Sequence, residues 1–566
     1  MKPLLLPERE IAVIEEDAEV KTLSNNVPQA VVQDQLRKQK VAKSNLMADS
    51  YAQRGRTMHA EAMISPMVGY VAQPLQSIRA PSEAVNRENY EHFDDNQIKL
   101  VAEAPVSTFS IDVDTGAYSN VRRMINSGNL PREDAVRVEE LINYFAYDYP
   151  VPENSGTPFS VTTEIGVTPW NPDTRLLHIG IKGYDVTAKE LPASNLVFLV
   201  DVSGSMNSPK KLGLLKSALK LLTKQMRSED RISIVVYAGA SGVVLEPVAG
   251  NQSAKIAQAL DSLSAGGSTN GAAGIRSAYQ LAEQEFIRGG INRVILATDG
   301  DFNVGTVNFE ALKDLVEEKR KTGISLTTLG FGTGNYNDHL MEQLADAGNG
   351  NYSYIDTLNE AQKVLVDEIS STLNTIAKDV KIQLEFNPAV VAEYRLIGYE
   401  NRALNREDFN NDKIDAGEIG AGHTVTALYE VTLTNSKNKA MDPLRYSSPE
   451  TTEEKHSNEL ANLRLRYKEP TASKSKLIEQ VIKTSDIETR LANTSDRYRF
   501  SASVAGFGQL LRGGKYMDEF AYDDVLELAR TSRGKDNFGY RGEFLSLVNL
   551  AKSLSSQDKD DLQASR

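Results

Sequence analysis

The 566-residue chain contains no cysteine, one tryptophan and six histidines. Lacking cysteine, it forms no disulfides, thiolate zinc sites, iron–sulfur clusters or thiol nucleophiles. A chain without thiols also fits an exported protein. No segment approaches the roughly 18 apolar residues of a membrane span. Nor is there a basic excess, because the net charge of −14 opposes the counterion release on which nucleic-acid binding depends. The histidines form no His-Glu-x-x-His pattern, and the chain has neither a Gly-x-Ser-x-Gly elbow nor a Walker A loop. At the N-terminus Leu4-Leu5-Leu6 runs straight into Pro7 and Glu8, so no secretory apolar region is read there.

What is present is a globular composition, 40% apolar and 25% charged, with length for about three or four domains. Residues 1–85 show no sustained period and read as a disordered tether or linker. Residues 86–193 form a module of helices followed by strands. Tyr118, Val121 and Ile125 mark one helix, Val136, Leu141, Ile142 and Phe145 a second, and Leu177, Ile179 and Ile181 a half-buried strand in which His178 faces the polar side.

From Asn195 buried strands alternate with amphipathic helices, with the last helix placed at about 358–377. That order specifies a doubly wound, mainly parallel α/β sheet. In such sheets ligands collect beyond the carboxyl ends of the strands, where strand order reverses. The apolar run Leu196–Val200 ends in Asp201-Val202-Ser203-Gly204-Ser205, and Arg293–Ala297 ends in Thr298-Asp299-Gly300-Asp301. Between them, Gly266-Gly267-Ser268-Thr269-Asn270 leads into a helix. Asp201, Ser203, Ser205, Thr269 and Asp299 all offer oxygen, which selects Mg²⁺, Mn²⁺ or Ca²⁺ over zinc. A tight turn with Ser and Asp capping the helix uses the same residue types; it is the three pieces in order that favour the metal, Mg²⁺ first.

The Asp-x-Ser-x-Ser constellation with its distant Thr and Asp resembles the metal-ion-dependent adhesion site of von Willebrand factor type A domains, over about residues 194–378. Similarity to bacterial YfbK-type proteins extends over about 86–566, through FSIDVDTGAYSNVRRMINSG (109–128), AVRVEELINYF (135–145) and DAGEIGAGHTVTALYE (415–430). The resemblance implies that both serines and the threonine touch the metal and that the aspartates act directly or through water. One position would stay open for an Asp or Glu of a protein partner. It also implies a cell-envelope, periplasmic or membrane-anchored location; with no signal in this chain, the cytoplasm is the alternative. The expected function is therefore metal-dependent protein binding, adhesive or scaffolding, without catalysis.

After the α/β unit, Val380–Phe386, Val425–Leu433 and Ala461–Tyr467 alternate as strands. Residues 379–470 are expected to pair with 158–186 in one β-sandwich, with the α/β unit inserted between. Residues 471–566 read as helical, with Phe500, Val504, Phe507 and Leu511 on one buried face.

Other chemistries are poorly supplied. Asp112-Val113-Asp114-Thr115 resembles the nucleophile motif of haloacid-dehalogenase-type phosphotransferases, but the downstream Lys and acidic pair have no convincing order. Aspartates that turn into the next helix and cap it are the preferred reading. The loop at 408–419 has Lys413 and Ile419 where a calcium loop needs Gly and Glu. Gly330–Gly334 serves a tight turn as readily as a phosphate cradle. The competing functions are a metal-dependent hydrolase or phosphotransferase using Asp112 or Asp201, and an accessory subunit of an ATPase partner.

Overall fold

In Leu196–Val200 every side chain must be apolar, because the strand Ser194–Asp201 is buried on both faces. Leu196, Phe198 and Val200 point into one core, shared with Leu215, Leu219 and Leu222 of the helix Leu214–Thr223. Val197 and Leu199 point into the other, shared with Ile275 and Ala278 of Gly271–Gln284 and Leu312 and Val316 of Phe309–Lys321. Each such residue contributes about 1.5–3 kcal/mol by burial, so a polar substitution anywhere in the run would be costly. The computed structural model describes residues 88–152, 156–187, 189–300, 309–334, 336–442 and 456–564. The tether reading of 1–85 and Asp301 lie outside the described residues.

Ser194–Asp201 is central in a six-stranded sheet. In spatial order the strands are Tyr352–Ile355, Ser325–Phe331, Ile291–Thr298, Ser194–Asp201, Arg231–Tyr237 and Ser241–Ala249. All neighbours are parallel except the last, an antiparallel edge strand. The chain leaves Ser194–Asp201 toward one side and returns on the other at Ile291–Thr298. The switch point therefore lies between the strand ends that carry Asp201 and Asp299. The final helical stretch is broken into Leu358–Gln362, Lys363–Asp367 and Ile369–Leu373 and ends earlier than its periodicity suggested. The strand Thr375–Phe386 starts at once, drawn into a second sheet by its ladder partners.

The remaining strands build two antiparallel sheets. Lys99–Leu100, Val391–Ile397, Thr424–Leu433, Asn171–Gly183 and Phe159–Thr168 form one. Ile419–Gly420, Thr375–Phe386, Glu459–Lys468 and Lys476–Lys483 form the other, with Val106–Ser110 against Thr375–Phe386. Two expectations are corrected here: Lys476–Lys483 is a strand within the stretch read as helical, and Val106–Ser110 is a strand ahead of the helices of the N-terminal module, each recruited by its ladder partner. Ile165, Leu177 and Ile179 of the first sheet share a core with Ile382, Leu384, Leu463 and Leu465 of the second. Leu177 lies opposite Tyr429 across the ladder, so strands before and after the α/β unit are direct neighbours and the unit is an insertion in this sandwich.

His178 corrects one expectation. The strand Asn171–Gly183 is not half-solvated, because helices cover its other face and Leu176, Leu428 and Ile397 enter a fourth core with Val121, Leu141 and Phe145. Phe500, Val504, Phe507 and Leu511 of the helix Asp496–Leu511 also lie in that core. Buried there, His178 lies 3.0 Å by Nε2 from the Tyr149 hydroxyl, and burial pushes its pKa down to about 3.

Candidate metal centre

Asp201 is the last residue of the central strand and is fully buried. Its Oδ1 accepts a 2.8 Å hydrogen bond from the Ser203 amide, which folds the chain into a tight turn. Its Oδ2 accepts from the Thr298 hydroxyl at 2.8 Å and from the Tyr237 hydroxyl at 3.3 Å. Burial raises the carboxyl above its ordinary value, hydrogen bonds from Ser203 and Thr298 oppose that rise, and the charge of Asp299 adds to it. A cation beside the two carboxylates would reverse the cost of keeping both ionised.

The Ser203 and Ser205 hydroxyls lie 3.0 Å apart. Ser203 is buried and Ser205 is exposed, so the pair runs from the interior to the solvent. The Gly204 amide donates to the Gly267 carbonyl at 3.0 Å and the Gly266 amide to the Val202 carbonyl at 2.8 Å. These bonds fasten the Asp201 turn to the loop that carries half-buried Thr269. Asn270 accepts from the Ala273 amide and starts the helix Gly271–Gln284. Asp299 follows the strand Ile291–Thr298 and is fully buried.

The donor set suits a hard divalent ion. With metal–oxygen distances near 2.1 Å, adjacent ligands of an octahedral Mg²⁺ are about 3.0 Å apart, matching the hydroxyl separation. Ser203, Ser205 and Thr269 would contact the ion; Asp201 and Asp299 would supply its counter-charge. Three neighbours carried no sequence signal as site residues. Thr298 and Tyr237 orient Asp201, and Lys211 bonds Asp299 Oδ2 by Nζ at 2.8 Å. Nothing in the local spacing around Lys211 indicates that its side chain reaches the neighbouring strand end.

A second polar cluster accounts for Asp112 and Asp114. Asp112 accepts from the Asp114 amide at 2.8 Å and from Arg402 Nε at 3.1 Å. Asp114 accepts from the Tyr352 amide at 2.8 Å, reaching into the parallel sheet instead of capping its own helix. The helix Gly116–Asn126 is capped from elsewhere: Glu140 accepts the Ala117 amide at 2.7 Å. Arg137 donates to Glu140 and, at 2.5 Å, to Asp338; Arg402 also donates to Glu342 at 3.1 Å and Asp346 at 2.5 Å. Carboxylate oxygens of Asp112, Glu140 and Glu342 all lie within 4.8 Å of one another. With guanidinium groups already among them, these acids form an ion-pair joint between the N-terminal helices and the α/β unit.

Burial foremost drives the Glu140 carboxyl up to about 8 and that of Glu342 to about 7. Folded protein therefore retains protons that unfolded chain releases near the ordinary value of 4.5. This contribution to stability is full below that value and declines as pH rises through about 8. Neutral His178, buried, and His423, half-buried, are each pushed down to about 3 and act oppositely, but only up to their ordinary 6.5. Urea midpoints should thus fall between about pH 6.5 and 8.5; a rise over that range would contradict the protonated joint.

The phosphate-cradle and calcium readings are not supported. The Gly334 amide donates to Glu88 at 2.9 Å and the Gly332 carbonyl accepts from Tyr354. In the 408–412 loop, Lys381 donates to the Asp408 and Asn411 carbonyls, and Lys468 to that of Asp412.

A family model described as von Willebrand factor type A domain matches residues 195–368, and one described as von Willebrand factor matches 84–178. A third, for the C-terminal part of "Uncharacterized protein YfbK", matches 371–554. The inserted sheet and its Asp201 turn are those of a von Willebrand factor type A domain. YfbK of Escherichia coli (strain K12) is 48% identical over 473 residues, covering 82% of this chain and 81% of its own. The chain belongs to the YfbK family. The protein sll0103 of Synechocystis is 26% identical over 310 residues, 53% of this chain and 68% of its own. Among solved structures, a von Willebrand factor type A protein from Catenulispora acidiphila covers 69% of this chain and 89% of its own, at 14% identity and a TM-score of 0.39.

Proposed function

We propose that Asp201, Ser203, Ser205, Thr269 and Asp299 hold one divalent cation, Mg²⁺ first, and that an Asp or Glu of a protein partner completes its coordination. The observation that carries this reading is the Ser203–Ser205 hydroxyl pair, 3.0 Å apart at the switch point and open to solvent at Ser205. Hydroxyl ligands leave the ion short of negative charge, and an incoming carboxylate supplies it through a charge-assisted bond. Hydrolysis would need a positioned nucleophile or base. Both carboxylate oxygens of Asp112 are engaged by Asp114 and Arg402, and both of Asp201 by Ser203 and Thr298. That commitment favours binding over phosphoryl or hydrolytic chemistry.

An envelope location belongs to the same proposal, supported by the family resemblance and the cysteine-free chain. No helix among the described residues is long and apolar enough to cross a membrane. The test is capture of binding proteins from cells that carry the native gene, by wild type and Asp299→Ala, in Mg²⁺ and in EDTA. A partner retained by wild type in Mg²⁺, and lost in EDTA and on Asp299→Ala, is the expected result. Equal capture under all four conditions would remove the metal from the binding mechanism.

A further inference from the structure

Lys211 touches an acid of the proposed metal site, and its role rests on that metal reading. Its Nζ lies 2.8 Å from Asp299 Oδ2, and the residue is 9% exposed. Lys211 lies in the turn Pro209–Gly213, ten residues beyond the central strand, and its side chain spans to the end of the neighbouring strand. Its aliphatic stem lies against Gly332, in the loop after the strand Ser325–Phe331. A Cβ on Gly332 would fall inside the van der Waals envelope of Lys211 Cγ and Cε. Gly332 has φ +80°, a conformation suited to glycine, so both its backbone and its missing side chain accommodate the lysine. The Gly332 carbonyl is in turn held by the Tyr354 hydroxyl. The ammonium is therefore seated in a formed slot.

An ammonium and a divalent ion compete for the same carboxylate. Without metal, Lys211 neutralises Asp299, a fully buried acid that would otherwise be expensive to keep charged. With metal, a positive charge bonded to Asp299 repels the ion and withdraws electron density from one of its acids. We propose that Lys211 is a tethered competitor of the metal: it holds the metal-free site together and weakens cation affinity, so that the ion is retained firmly only when a partner carboxylate adds its charge. Metal and partner would then bind cooperatively, since each supplies what the other needs.

The test compares wild type with Lys211→Met and Lys211→Gln, whose side chains fill the Gly332 slot without charge. Mn²⁺ affinity is measured by calorimetry, and thermal unfolding is followed in EDTA and in Mn²⁺. The expected result is at least tenfold tighter Mn²⁺ binding in both variants. Their melting temperatures should fall below wild type in EDTA, and Mn²⁺ should raise them by more than it raises the wild type. Should one variant fail to fold, the other still decides. Wild type that binds Mn²⁺, beside variants that bind it equally or more weakly, would overturn the role of Lys211 and leave the metal site standing. No Mn²⁺ binding by any of the three, with Asp201→Asn indistinguishable from them, would overturn the metal reading and this inference together.

Discussion

Arg137→Met is expected to destabilise the protein by about 3–5 kcal/mol, the cost of breaking its buried pair with Asp338 by removing one partner. Arg137 is 2% exposed and bonds Glu140 and Asp338, both fully buried, with Glu342 Oε2 at 3.6 Å. Methionine restores much of the side-chain volume, so the loss isolates charge from packing. Glu140 also caps the helix Gly116–Asn126, and that helix should loosen with it. Urea denaturation at pH 7 measures the effect. Because burial already raises Glu140 and Glu342 and Arg137 holds them down, losing the cation raises them further, and the loss should grow as the pH is raised from about 7 to about 9, where wild type can ionise these acids and the variant cannot. A variant within about 0.5 kcal/mol of wild type, the range of ordinary surface changes, would show that the joint carries no structural weight.

Asp201→Asn is expected to weaken Mn²⁺ or Mg²⁺ binding by at least about 100-fold, the upper range for lost support around a metal ligand. The amide oxygen can still accept from the Ser203 amide, and its NH2 takes the place of the oxygen bonded by Thr298 and Tyr237, whose hydroxyls can turn to accept, so the turn should persist while the charge is removed. Calorimetry gives the affinity, and thermal unfolding in EDTA reports the fold. Unchanged affinity would remove Asp201 from the site. A large stability loss in EDTA would instead assign it a purely structural role.

How much of this was legible differs by element. The run Leu196–Val200 was legible as a doubly buried strand because it is of strand length, apolar throughout and stopped by a turn, and its alternate residues do enter two cores. Asp201, Ser203 and Ser205 were legible because they follow that strand directly. Thr269 and Asp299 were legible through the alternation of strands and helices, which places them on the same sheet edge. The sandwich followed from counting strands, since Asn171–Gly183 needed the partner it finds in Thr424–Leu433.

His178 was misread because two-residue alternation reports one buried face and is silent about a helical layer on the other. Asp114 was misread because a local cap and a long-range bond to Tyr352 use the same residue. Lys211 and Arg137 could not be read at all. Their partners Asp299 and Asp338 lie 88 and 201 residues away in sequence, and ion pairs of that span leave no periodic trace.

The most direct measurement is an anomalous-difference map from crystals of wild-type protein grown with Mn²⁺. One strong peak is expected among the hydroxyl oxygens of Ser203, Ser205 and Thr269, adjacent to Asp201 and Asp299. An empty switch point, or a peak at Asp112, Glu140 and Glu342 instead, would contradict the proposed metal site.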